Sequence, residues 1–131
     1  MIYVLKAYKL KAHMKRLALD PHSLLPLTPV AFEVLLSLAE GERHGYHIMQ
    51  AVERRTGGRI RLHAGTLYRA LARLLESGLI EELDERREPG SDERRRYYHL
   101  TDLGREVAAA EAARLESQVR AARALRLLGR S

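Results

Sequence analysis

The sequence predicts a mainly α-helical chain with one small β-hairpin and a long C-terminal helix. Three observations carry this expectation. Three apolar stripes at helical spacing follow one another between Thr28 and Ser77. Two segments containing Ile, Leu and Tyr then flank the turn signal Pro89-Gly90-Ser91-Asp92. An alanine-rich stretch from Thr101 onward repeats apolar residues every three or four positions. Three helices followed by a hairpin are the layout of a winged helix-turn-helix, and the last stretch adds a helix to it.

Composition sets the bounds. A chain of 131 residues is one domain's worth. Hydrophobic residues are 46% and aromatics only 5%, so the core must be built mainly from aliphatic side chains. There is no cysteine, which excludes a disulfide framework and a thiolate metal site and suits a reducing compartment. No run of eighteen apolar residues offers a membrane span, and the N-terminus lacks the apolar core and cleavage site of a signal peptide. The expected location is the cytoplasm, with no membrane partner.

The net charge of +6 is unevenly placed. Lys6, Lys9, Lys11, Lys15 and Arg16 put +5 on the first sixteen residues, which hold no acid. The remainder carries 18 basic and 17 acidic groups, so any nucleic-acid surface must come from local clusters. All four lysines lie within residues 1–15, and from Arg16 onward every fixed cation is arginine. This suggests that the leading residues differ in origin from the rest, with Met14 as an alternative start; the intact mass of the native protein checks it.

The elements follow in order. Residues 1–19 place Leu10, Met14 and Leu17 at helical spacing among basic groups, giving a basic arm or a short amphipathic helix. Asp20 to Pro29 contains three prolines and reads as a linker. Thr28 is an N-cap with Pro29 at the first helical position, and Ala31, Val34, Leu35 and Leu38 form the inner face of a helix ended by Gly41. Gly45 opens a second helix with Ile48, Met49 and Val52 inward; Arg54 and Arg55 suit its C-terminal dipole, and Thr56-Gly57-Gly58 stops it. Residues 59–62 connect it to a third helix over about Ala64 to Ser77, whose buried stripe is Leu67, Leu71, Leu74 and Leu75, with Gly78 as its left-handed cap. Leu79 to Glu88 and Arg96 to Thr101 are the strands of the hairpin, with Ile80 and Leu83 inward on the first and Tyr98 and Leu100 sharing one face of the second.

Thr101-Asp102 caps the last helix, expected to run nearly to Gly129 with the stripe Ala108, Ala112, Leu115, Val119, Ala122 and Leu125. A long helix with a narrow apolar stripe needs a surface to cover it. A second copy of the same helix is the economical answer, with folding back on its own domain as the alternative. The dimerisation candidates are Leu103, Val107, Leu115, Val119, Ala122 and Leu125. The organisation is therefore an arm and linker over 1–27, a winged helix-turn-helix over 28–101 and a dimerisation helix over 102–131.

The chemistry-bearing cluster is the third helix and its approach. Between Glu53 and Arg73 lie six arginines and one acid. The planar fork of arginine grips two oxygens of a phosphate, or the O6/N7 edge of guanine. Thr66, Arg69 and Arg73 lie opposite the leucine stripe, Thr66 falls in the first turn where free N–H groups attract phosphate, and Tyr68 offers a hydroxyl. His63, just ahead of the helix, and Tyr46, at the start of the second, complete the set. On this segment alone a merely solvated charged face explains the pattern equally well. The hairpin tip shifts the balance, because Arg86, Arg87, Arg94, Arg95 and Arg96 flank one turn, although Glu85, Glu88, Asp92 and Glu93 partly neutralise them. His44 and His47 are three apart but have no acidic or cysteine companion in a ligand motif, and no nucleophile or phosphate-loop pattern occurs. Neither an enzyme nor a cofactor or metal is expected.

The ordered motifs His44-Gly45-Tyr46-x-Ile48, Gly65-Thr66-Leu67-Tyr68-x-x-Leu71-x-x-Leu74, Gly78-Leu79-Ile80, Arg95-Arg96-Tyr97-Tyr98-x-Leu100-Thr101 and Gly104-Arg105 resemble the PadR family of transcriptional regulators, over about Leu27 to Ala121. The resemblance implies a homodimeric repressor of the compact subfamily that binds double-stranded DNA, in which the third helix reads the major groove and the C-terminal helix dimerises. Thr66, Tyr68 and Arg69 would face DNA, Arg95 and Arg96 would make the wing contact, and Tyr46 would support the reading helix or touch phosphate. A small apolar or aromatic effector would release it. Residues 1–20 depart from the pattern, being unusually basic and set off by a proline linker. The competing expectation is a winged-helix module that binds protein without sequence-specific DNA binding.

Overall fold

The computed structural model describes residues 20–83 and 96–129. It contains a short 3-10 turn (Pro21–Leu24), α1 (Pro29–Ala39), β1 (Arg43–His44), α2 (Gly45–Arg55), α3 (Ala64–Glu76), β2 (Ile80–Leu83), β3 (Tyr97–Leu100) and α4 (Asp102–Ala124). Helices dominate, as expected, and the small sheet is antiparallel with order β1-β3-β2. The architecture is a winged helix-turn-helix with α4 appended.

Local chemistry sets the boundaries. The Ala31 N–H donates to Thr28 Oγ1 at 3.1 Å, which satisfies an orphan donor of α1, and Pro29 follows at the first position. The Thr56 hydroxyl donates to the Val52 carbonyl at 2.8 Å and accepts from the Ile60 N–H at 3.1 Å, which closes the end of α2 onto the approach to α3. After α3, Gly78 takes φ 76°. The Leu79 N–H then reaches Leu74 O at 3.0 Å and the Gly78 N–H reaches Leu75 O at 3.1 Å. This is a Schellman cap, and it turns the chain straight into β2.

One core serves the four helices and strands β2 and β3. Val34, Leu35 and Leu38 of α1, Ile48 and Val52 of α2, Leu67, Leu71 and Leu74 of α3, and Leu79, Ile80 and Tyr98 of the sheet region form a continuous buried cluster. Among the described residues Tyr98 is its only buried aromatic member, with Tyr68 packed half-buried against it, in keeping with a predominantly aliphatic core.

Four features differ from the sequence reading. The hairpin gains a third strand, because Arg43 and His44 pair with Tyr98 and Tyr97; a two-residue strand just ahead of a helix is too short a pattern to announce itself. The proline-rich stretch is not a bare linker: Leu24, Leu25 and Leu27 pack against the core, and the Leu27 N–H donates to Glu111 Oε2 of α4 at 2.7 Å. Helix α4 stops at Ala124, short of Gly129, because Arg126 adopts φ 59° and the Leu127 N–H returns to Ala122 O at 2.8 Å. Leu103 and Val107, expected between two subunits, lie 1% and 0% exposed in the chain's own core. The first turns of α4 thus fold back on the domain, and the core crosses residue 101.

The junction where α4 begins is tightly constrained. The Thr101 hydroxyl donates to Gly78 O at 2.7 Å and accepts from the Gly104 N–H at 3.0 Å, while the Thr101 N–H reaches Leu79 O at 3.1 Å. A Cβ on Gly104 would lie 2.0 Å from Leu79 O, so backbone meets backbone there and only glycine fits.

Candidate nucleic-acid interface

Helix α3 buries Leu67, Leu71 and Leu74 and turns Gly65, Arg69, Ala72 and Arg73 to solvent, with Thr66 and Ala70 half-buried at the margin. This division follows from the leucine spacing. His63 is the N-cap residue; it is exposed and its side chain makes no capping bond. The first turn of α3 therefore keeps backbone N–H groups directed outward, with the positive end of the helix dipole behind them. Arg69 leans back over that turn: its Nη1 lies 3.5 Å from where a Gly65 Cβ would stand. A guanidinium and a helix N-terminus thus occupy one small area.

The arginines near α3 divide into two groups. Arg55 is a clamp between α2 and α1. Its Nε donates to Glu33 Oε1 at 3.1 Å, and its Nη2 donates to Glu33 O at 2.8 Å and Ser37 Oγ at 3.1 Å. Arg61 pairs with Glu53 at 3.5 Å on the surface. In contrast, Arg54, Arg59, Arg69 and Arg73 make no ion pair among the described residues and are all exposed. The local excess of positive charge is therefore carried by these four, two of them on the outer face of α3.

Tyr68 departs from its expected place. Its ring is half-buried against the core, and its hydroxyl oxygen is buried and lies 3.1 Å from where a Gly45 Cβ would stand. It packs α3 onto the start of α2, and the absence of a side chain at Gly45 makes room for it. Tyr46, the next residue, is 47% exposed at the first turn of α2. His44 and His47 stack ring on ring at 3.8 Å, with the Tyr97 ring edge-on to His44 at 5.3 Å. Stacked imidazoles do not converge on a common point, and no group of three His, Cys, Asp or Glu among the described residues is placed to hold a metal ion.

In the wing, Arg96 is held by Glu82 of β2 at 3.4 Å, so its charge is partly spent inside the sheet. Arg94 and Arg95, with Arg86 and Arg87, lie outside the described residues. The structure thus gathers His63, Thr66, Arg69 and Arg73 on or beside one helix. Sequence reasoning missed the leucines of residues 24–27 as partners of the core; three leucines in four residues, Leu24, Leu25 and Leu27, were the available signal.

A family model for the transcriptional regulator PadR-like family matches residues 34–110, more than half of the chain. The chain belongs to this family. A transcriptional regulator from Clostridium thermocellum is similar in structure, with TM-score 0.58 and 28% identity, covering 70% of this chain and 84% of that one. Bacillus subtilis PadR in complex with operator DNA has TM-score 0.55 at 24% identity, covering 65% of this chain and 47% of that one. A curated relative is an uncharacterised 37.1 kDa protein in transposon TN4556 of Streptomyces fradiae, 43% identical over 89 residues. The match takes in 66% of this chain but only 24% of that protein. PadR-like proteins are transcriptional regulators, and no described helix of this one is long and apolar enough to cross a membrane.

Proposed function

We propose that the chain is a sequence-specific DNA-binding repressor that acts in the cytoplasm as a homodimer on a pseudo-palindromic operator. The observation that carries this reading is the outer face of α3. Arg69 and Arg73 stand exposed and outside any ion pair among the described residues, whereas Arg55, Arg61 and Arg96 are each engaged by an acid. Arg69 and Thr66 are assigned to base edges or phosphates at the helix N-terminus, Arg73 to phosphate, and His63 and Tyr46 to flanking backbone contacts. Arg94, Arg95 and Arg96 are assigned to the wing contact. The operator complex of the Bacillus subtilis neighbour supports the general mode.

The homodimer is assigned to the distal part of α4. Val119 and Leu125 are 40% and 70% exposed, and Leu115 and Ala122 are half-buried. A two-fold pair of these helices would set two reading helices about one turn of DNA apart, roughly 34 Å. A small apolar or aromatic effector would release the repressor.

Fluorescence anisotropy with the duplex immediately upstream of the chain's own gene tests the reading. Specific binding, several hundred-fold or more over a scrambled duplex and falling steeply as salt rises, is the expected result. Equal affinity for both duplexes, or none for either, would favour a protein-interaction role, which the near-neutral charge of residues 17–131 also suits.

A further inference from the structure

Beside the outer face of α3 lies an open groove of about 430 Å3. Thr66, Arg69, Ala70 and Arg73 form one wall. Leu24, Leu27, Val30 and Ala31, from the 3-10 turn through the start of α1, form the other. The volume falls within the range of about 300–1,000 Å3 typical of small-molecule sites. Among the described residues, the two arginines are the only charged ones lining it, and none of the described lining residues is aromatic.

That lining specifies a chemistry. The described wall is aliphatic, Leu24, Leu27, Val30 and Ala31, and favours a saturated chain over a stacked aromatic. Two guanidiniums at the edge, neither in an ion pair among the described residues, call for an anionic head, and a carboxylate matches the arginine fork in geometry. The adjoining chain segment cannot supply that charge, since residues 1–19 hold five cations and no acid.

We propose that this groove binds a small aliphatic monocarboxylate. Its head sits on Arg69 or Arg73, and its chain lies between α3 and the Leu24–Ala31 wall. Because these arginines are also those assigned to DNA, the occupied groove competes with nucleic acid for them. The competition rests on the DNA-binding reading; the binding itself does not.

Calorimetry of the full chain with sodium octanoate, below its micelle concentration, tests the site. Saturable binding at one octanoate per chain is expected, weaker by about fourfold for each methylene removed. Octan-1-ol should bind about tenfold or more weakly, as should octanoate to the Arg69→Ala, Arg73→Ala double variant. In wild-type protein, NMR contacts from the octanoate chain to the Leu27 and Val30 methyls should locate it. On the upstream duplex, octanoate should raise the apparent Kd in proportion to its concentration. Ala31→Leu, which adds bulk to the aliphatic wall, should still bind DNA but lose that response.

No saturable octanoate binding, equal binding of octanol, or NMR contacts elsewhere would overturn the site. Octanoate binding that leaves DNA affinity unchanged would overturn the competition. If the protein binds no duplex at all, the DNA-binding reading fails, while calorimetry and NMR still decide the groove. If Ala31→Leu does not fold, the wild-type NMR contacts decide the location alone.

Discussion

Glu111 accepts a hydrogen bond at 2.7 Å from the backbone N–H of Leu27, 84 residues earlier in the chain. The same carboxylate, 1% exposed, pairs with Arg114 one turn further along α4. A buried carboxylate is expensive unless its oxygens are satisfied, and here each has a partner. The contact fixes the segment leading into α1 against the long helix.

Removing that contact should cost stability in a pH-dependent way. The hydrogen bond from Arg114, aided by the Leu27 N–H and opposed by burial, holds the Glu111 carboxyl below the ordinary range. A carboxyl depressed in the folded state stabilises the fold above the unfolded pKa of about 4.3, and that contribution is lost as pH falls through the folded value. Glu111→Ala should therefore lower stability by about 1–3 kcal/mol at pH 7, by orphaning the Leu27 N–H. For Glu111→Gln, the difference from wild type should shrink below about pH 4. Urea denaturation across pH 3–7 measures both; a gap independent of pH would count against the ionised pair.

Gly104 and Gly65 should respond in opposite ways to the same substitution. A Cβ on Gly104 would meet Leu79 O at 2.0 Å, whereas one on Gly65 would meet only the end of the Arg69 side chain at 3.5 Å. Gly104→Ala is expected to cost about 3 kcal/mol or more, since backbone must move. Gly65→Ala should leave stability unchanged or raise it by up to about 1 kcal/mol. If α3 approaches DNA closely at its first turn, the same Gly65→Ala protein should bind its operator more weakly. Thermal melts and anisotropy on the two variants read out both effects.

Arg69 and Arg55 should separate binding from stability. Arg69→Ala removes an exposed cation with no ion pair among the described residues, and should weaken DNA binding about tenfold or more with little change in melting. Arg55→Ala breaks the clamp to Glu33 and Ser37, and should cost about 1–2 kcal/mol of stability before it affects DNA. Matched chemical melts and binding titrations would reject this assignment if the two variants behaved alike.

The distal and proximal halves of α4 should likewise differ. Val119→Glu, on an exposed apolar position, should raise the dimer dissociation constant about tenfold or more while the domain stays folded. Leu103→Ala should cost about 2–5 kcal/mol in the core. Sedimentation equilibrium and denaturation on each protein distinguish the two; an unchanged association state for Val119→Glu would remove the helix from the interface.

The helices were legible because leucine spacing reports a buried face directly, and α3 buries Leu67, Leu71 and Leu74 as its pattern requires. Arg69 and Arg73 emerge exposed for the same reason. What the pattern does not contain is pairing at a distance. Nothing local in Arg55 distinguishes a clamp on Glu33 from a surface cation, and nothing in Arg43-His44 predicts a strand whose partner lies more than fifty residues away. Tyr68 was misplaced because it lies about 20° from Leu75 in helical projection, at the border between faces, where the ring can lie inward. Leu103 and Val107 were assigned to the interface although they lie outside the Ala108–Leu125 stripe, and an apolar residue on a helix does not show what covers it.

The Thr101 junction has a mechanical consequence. Backbone and hydroxyl bonds join the start of α4 to the turn that ends α3, through Gly78 and Leu79. The two helices are thereby coupled at a stiff elbow. With 23 residues, α4 is roughly 34 Å long, so a tilt of about 5° at its far end corresponds to about 3 Å of travel across that length. In the proposed homodimer, the spacing between the two α3 helices would then be governed by how the distant ends of α4 settle against each other, and a modest rearrangement there would shift them out of step with the turn of the duplex.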